Sequence, residues 1–259
     1  MKRLKNIGSR LIPAIFIIAI VIVWQFISEG AIIPKYILPS PKDIGIALIN
    51  TLPDLKSHTL VTLWEAFIGL MTSILFSVVL AVIMDSIPII KKALYPLLII
   101  SQTIPIIALA PLFIIWFGFG MLPKIIVVIL VCFFPIAISL VDGLASVDLD
   151  MLNMMRSMGA KKLQVFWHLK LPSAIVGFFS GLRIAVTYSI MGAVIGEWLG
   201  GEKGLGVYMI RVKHSYALDK LFASILVIVI LSVLLFKAIT LVEYVVMPWK
   251  RYQTGEKNI

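Results

Sequence analysis

The sequence predicts an all-α integral membrane protein, a single domain over residues 1–259 that crosses the bilayer six times. Three observations carry this. Apolar residues make up 61% of the 259 and charged residues only 14%, against roughly half and a quarter in a soluble domain. That much apolar side chain cannot be hidden in one water-soluble globule, and it equally excludes disorder. The apolar residues fall in blocks long enough for the ~20-residue helix that hydrocarbon requires. They are too long for barrel strands of about ten alternating residues.

The first block, residues 11–28, follows Lys2, Arg3, Lys5 and Arg10. A basic flank before an apolar run also suits a signal peptide. Trp24, Gln25 and Phe26 stand where small residues would mark cleavage, so an uncleaved first helix with a cytoplasmic N-terminus is expected. Pro34, Pro39, Pro41 and Pro53 then imply an extended outer loop with one short helix. The second span, 59–84, is ended by Asp85, Pro88, Lys91 and Lys92. The third, 93–117, contains Pro96, Pro105 and Pro111. Gly118, Gly120 and Pro123 turn the chain into the fourth, 125–141. A long polar stretch, 142–172, separates it from the fifth, 173–196. A Gly-rich loop, 197–220, leads to the sixth, 221–246, and a polar tail.

With the N-terminus inside, segments on the inner side hold 13 Lys and Arg and those outside hold 8. This bias places both termini and the 142–172 loop in the cytoplasm. The net charge of +10 is thereby assigned to helix flanks rather than to nucleic-acid binding. The lone Cys132 sits in an apolar run and forms no internal disulfide.

No GxxxxGK followed by Ser or Thr is present, so no nucleotide loop is expected on this chain. No HExxH or Cys/His pair offers metal ligands. His58, His168 and His214 are scattered, and no nucleophile stands with a base. The chain is expected to carry no cofactor and to hydrolyse no ATP.

The 142–172 loop is the most patterned segment. Asp148 suits an N-cap. Met151, Met154, Met155 and Met158 repeat at i, i+3, i+4 and i+7, one face of a short helix. Gly159 permits a left-handed cap, and a second amphipathic helix is expected to end at Pro172. The thioether face either packs on its own bundle or docks a partner, since Met adapts to grooves.

Gly159 followed by Leu169-Lys170-Leu171-Pro172, before the second-last span, resembles the coupling loop of ABC importer permeases. That family's pattern is Glu-Ala-Ala-x-x-x-Gly and, after a spacer, Ile-x-Leu-Pro. Here Asn153-Met154-Met155 replace Glu-Ala-Ala. Leu38-Pro39-Ser40-Pro41, the run from Ala108 to Gly118, Gly181-Leu-Arg183, Glu197-Trp198 and Gly204-Leu-Gly206 resemble the nitrate/sulfonate/taurine-type branch. Thr62-Leu-x-Glu65-Ala and Ser101-Gln-Thr-Ile-Pro105 look most like permeases for thiamine-precursor pyrimidines.

The resemblance implies a type I ABC importer permease bundle in the bacterial cytoplasmic membrane. It implies a second permease copy in a homodimer, two ATPase subunits that carry ATP and Mg, and an extracytoplasmic binding protein. The solute would be a thiamine-precursor pyrimidine, or else a sulfonate, taurine or nitrate-like solute. The coupling helix would be about 149–158. The implied ATPase-coupling residues are Leu149, Met151, Leu152, Met154, Met155, Met158, Gly159, Ala160, Leu171 and Pro172.

Polar residues at depth suggest where a path could run. Ser101, Gln102 and Thr103 sit in the middle of the third span. Pro105 and Pro111 cannot donate to the carbonyls of Ser101 and Ile107, and freed carbonyls survive only against protein or a wet cavity. A packing kink is the alternative. Arg183 lies ~15 Å into the fifth span, where an unpaired charge costs at least about 3 kcal/mol. It is either half of a structural pair or a lining residue. Glu65 and Glu197 lie near outer span ends, as interfacial groups or path residues. Gly177, Gly181, Gly192, Gly196 and Gly200 form a small-residue stripe for close helix packing.

A secondary transporter that needs no ATPase is the alternative function. It would lack the coupling loop and show inverted repeats. A membrane scaffold gives no reason to place Gln102 and Arg183 at depth, and a membrane enzyme lacks its constellation.

Overall fold

A computed structural model describes residues 2–30, 33, 34 and 36–248, with side chains from Ile12 onward. The side chains of Lys2, Arg3, Lys5 and Arg10, and Lys35, Lys250, Arg251 and Lys257, all used in the topology count, lie outside that description. The described residues form the helices α1 (Lys2–Glu29), α2 (Pro41–Asn50), α3 (Leu52–Ser86), α4 (Pro88–Ser101), α5 (Ile106–Phe117), α6 (Met121–Ala145), α7 (Leu149–Ser157), α8 (Lys162–Val165), α9 (Leu171–Gly200), α10 (Leu205–His214) and α11 (Leu218–Val246). A π-helical turn, Phe166–Lys170, joins α8 to α9. The helices α1, α3, α6, α9 with its lead-in, and α11 are long and apolar enough to cross a membrane. The α4–α5 pair adds a sixth span if its two halves, bent by 101°, are counted as one.

Several boundaries differ from the sequence expectation for physical reasons. The second span starts at Leu52, not 59, because its polar first turns are helical as well. Asp54 favours the positive helix start, and the Ser57 hydroxyl donates to the Asp54 carbonyl at 2.9 Å. The fourth starts at Met121 after Gly118 (φ 76°) and Gly120 (φ 141°). Pro123 then falls in the first turn, where its missing N–H costs nothing. The Gly-rich loop contains α10. The second loop helix does not end at Pro172: Leu171 N–H reaches back to the Phe166 carbonyl. That five-residue step carries the chain into α9 with Pro172 in its opening turn, where proline is tolerated.

Two compact units can be distinguished. One comprises residues 1–58 and 208–227. Its core joins Ile44, Ala47 and Ala223, with Trp24 and Phe222 rings 5.9 Å apart. Ser40 and Asp43 close a capping box on α2, with Pro41 opening the helix. His58 packs on Tyr208, ring centroids 5.4 Å apart.

The other comprises residues 59–207 and 228–259. It is built on α6 and α9, which run antiparallel and very close. A Cβ added at Gly177 would strike the Ser139 carbonyl, and one at Gly181 the Pro135 carbonyl. At Gly192 it would meet Val128 Cα at 3.3 Å, and at Gly196 Lys124 Cα at 2.9 Å. The small-residue stripe of α9 therefore faces α6 of the same chain. Gly200 is the exception and meets Ile114 and Phe119 instead. Ser73 and Ser77 of α3 donate to the Ile129 and Phe133 carbonyls, adding a third helix to the pair.

Candidate coupling loop and translocation site

The loop between α6 and α9 carries α7. Asp148 caps it by accepting from the Asp150 N–H at 2.8 Å. At its end Gly159 has φ 79°. Its N–H donates to the Arg156 carbonyl and that of Ala160 to Met155, both at 3.0 Å. This paired closure satisfies the last carbonyls and needs a left-handed residue, which glycine supplies without a Cβ penalty. Leu149, Met151, Met154 and Met158 are exposed, Met158 by 79%. Leu152, Met155 and Ala160 are half-buried, so the four-methionine face splits, with Met155 turned inward. Leu171 is half-buried and Pro172 exposed at the start of α9. Two polar contacts fasten the loop to the helices beside it. Lys170 pairs with Asp85 at the end of α3 across 2.7 Å, and the Tyr95 hydroxyl of α4 donates to Asp142 at 2.8 Å.

Ser101, Gln102 and Thr103 stand at the break between α4 and α5. The Ser101 carbonyl that Pro105 cannot serve accepts from the Ile104 N–H at 3.3 Å. The Ser101 hydroxyl donates to the Leu97 carbonyl and that of Thr103 to Ile100. Both hydroxyls thus close on their own backbone, while the Gln102 side chain is exposed.

Glu65 and Glu197 are both enclosed by the protein, each 1% exposed. Glu65 takes an ion pair from Lys124 at 2.6 Å. Lys124, counted from sequence as a loop cation, is buried in the first turn of α6. Glu197 accepts from the Thr62 hydroxyl at 2.6 Å and from the Gly206 N–H at 2.6 Å. Thr62 in turn accepts from the Leu205 N–H at 2.9 Å. Two orphan donors at the start of α10 are thereby satisfied by side chains of α3 and α9. Gly204 (φ 130°) and Gly206 let the chain approach, since a Cβ on Gly204 would overlap the Glu197 carboxylate and one on Gly206 would strike the Val194 carbonyl and crowd Glu197. The network joins three segments singled out separately in the sequence: Thr62–Glu65, Glu197 and Gly204–Gly206.

Arg183 is paired with Glu243 of α11 at 2.9 Å, the carboxylate side chain being 7% exposed. Lys124 and Glu243 were the members that sequence reading missed. For Arg183 the signal was an unpaired charge at membrane depth, which needs a partner; Glu65, near an outer span end, carried no such signal. Among the described residues no cluster of three or more His, Cys, Asp or Glu could hold a metal ion.

Residues 73–251 match the family model described as binding-protein-dependent transport system inner membrane component. The formylaminopyrimidine transport permease protein ThiX of Halalkalibacterium halodurans is 38% identical over 251 residues, covering 96% of this chain and all of that protein. The taurine transport system permease protein TauC of Escherichia coli is 28% identical, covering 88% of this chain and 85% of that one. A crystal structure of an amino acid ABC transporter with histidines shares the fold, with a TM-score of 0.64. It is 17% identical and covers 76% of this chain and 96% of the other.

Proposed function

From the premise that the chain belongs to the family of binding-protein-dependent transport system inner membrane components, we propose that it forms the solute path of an ATP-driven importer and takes its stroke through α7. The chain is a multi-pass ABC importer permease component of the inner membrane and not itself an enzyme. In this reading both termini and α7 face the cytoplasm, as the 13-to-8 bias of Lys and Arg favours. Two copies line the pore. Two ATPase subunits holding ATP and Mg lie beneath, and an extracytoplasmic binding protein delivers the solute.

The observation that carries the proposal is α7 itself: nine residues whose exposed Leu149, Met151 and Met154, with Met158 at the C-cap, leave a flexible apolar face uncovered. Leu152, Met155, Gly159 and Ala160 hold its angle, and Leu171 and Pro172 start α9, which carries the motion onward. Ser101, Gln102 and Thr103, at the broken span, line the path. Glu65, Glu197 and Arg183 have internal partners in Lys124, Thr62 and Glu243, and brace its walls. The solute is a thiamine-precursor pyrimidine. The 38% identity to the formylaminopyrimidine permease, over 96% of the chain, supports this. Sulfonate, taurine or nitrate-like solutes are the second choice.

The test is Gly159→Val. A β-branched residue at positive φ costs about 1–2 kcal/mol and re-aims α7, while the spans remain. Membrane insertion should stay normal, whereas ATPase retained in a pull-down, or uptake per ATP consumed in vesicles, should fall. Normal values for both would remove α7 from the coupling role.

A further inference from the structure

Behind α7, on the side away from Met151, Met154 and Met158, lies a cavity of about 610 Å³. Arg156 of α7, Lys162 of α8 and Lys170 of the π turn line it against a single carboxylate, Asp85. Lys170 and Asp85 neutralise each other. Arg156 and Lys162 have no ion-pair partner among the described residues, so the cavity holds two surplus positive charges. A second hollow of about 190 Å³ adjoins it and shares Val82 and Phe166. Every side chain around this slot is apolar, among them Val78, Leu140, Leu144 and Phe178. From Asp85 back to Val78 it extends ~10 Å along α3, into the stretch that crosses the membrane.

A free inorganic anion would use the charge and leave the slot empty, and a hydrocarbon would do the reverse. One amphiphile matches both: a phosphate head carrying an acyl chain. We propose that the paired hollows bind an anionic phospholipid, with its phosphate against Arg156 and Lys162 and one chain in the slot between α3, α6 and α9. Basic pockets between membrane helices suit acidic head groups, and each Lys or Arg contributes on the order of five-fold in affinity. The lipid lies behind α7 and leaves the exposed methionines free. It therefore fixes how firmly α7 is held against α3 without competing for the docking face. The inference rests on the membrane location of the family, not on which partner covers α7.

The test uses the purified permease in detergent, loaded with phosphatidylglycerol or phosphatidylcholine and read by native mass spectrometry. Phosphatidylglycerol should stay bound and phosphatidylcholine should not. The double variant Arg156→Gln, Lys162→Gln changes two exposed side chains and should weaken phosphatidylglycerol retention about 25-fold. Val78→Trp fills the slot with both charges intact and should weaken it as well. Excess sodium phosphate should not displace the lipid. Equal retention by wild type and the double variant would overturn the site. Displacement by phosphate, with Val78→Trp behaving as wild type, would make it a free-anion site and overturn the lipid assignment. The readout is lipid on the isolated permease, so it is independent of the outcome with Gly159→Val.

Discussion

Lys124 is the residue whose environment differs most from what its neighbours in sequence suggest. It follows two glycines and a proline, the composition of a turn, yet it is 6% exposed and ion-paired with Glu65. A buried pair adds little net stability, but removing one partner strands the other. Lys124→Met should therefore destabilise the protein by about 3–5 kcal/mol, and Glu65→Gln added to it should restore most of the loss. Denaturation of the detergent-solubilised permease, comparing the single and double variants, measures this. No recovery in the double variant would mean that Lys124 contributes through packing rather than through Glu65. At this scale the sequence was only half legible. Gly159 was readable because a short amphipathic helix needs a left-handed stop, and it has φ 79°. The partners of Glu65 and Arg183 were not, because Lys124 and Glu243 lie 59 and 60 positions away from them and nothing local links them.

At the scale of elements, apolar blocks were legible and their joints were not. Block length located the long helices, since hydrocarbon sets a minimum that few other pressures mimic. The joints depend on backbone geometry that composition hides, as in the π turn that passes Pro172 and the helix Leu205–His214 inside a Gly-rich stretch. Two predictions belong here. Gly181→Val would drive side-chain atoms into the Pro135 carbonyl and the Ser139 side chain. It should separate α6 from α9 and lower the midpoint of thermal unfolding, whereas Gly45→Ala, with open space around it, should not. Gln102→Leu, at the α4–α5 break, should reduce solute uptake in vesicles while the assembled complex still purifies intact. Unchanged uptake would take Gln102 off the path.

For the whole molecule, the prediction concerns what passes through it. Proteoliposomes holding the permease with its cognate ATPase and binding protein should accumulate formylaminopyrimidine. An excess of taurine or nitrate should compete poorly. Preference for taurine would change the solute and leave the importer assignment in place. The same preparation without the ATPase should neither accumulate solute nor turn over ATP. ATP turnover by the pure permease would contradict the division of labour proposed here.

The seam between α6 and α9 limits what kind of stroke this machine can make. Glycines at 177, 181, 192 and 196 each sit over a specific stretch of α6, from Ser139 down to Lys124. Shifting one helix along the other by a residue would bring side-chain carbons where only hydrogen fits. The pair is thus locked lengthwise like a toothed rack. It can rock, but it cannot telescope. The 142–172 loop hangs from one end of this rack, and the Lys124–Glu65 pair sits ~27 Å away at the other. Under the coupling role proposed for α7, a push on it would appear at the far end as a tilt of both helices together, a lever rather than a piston.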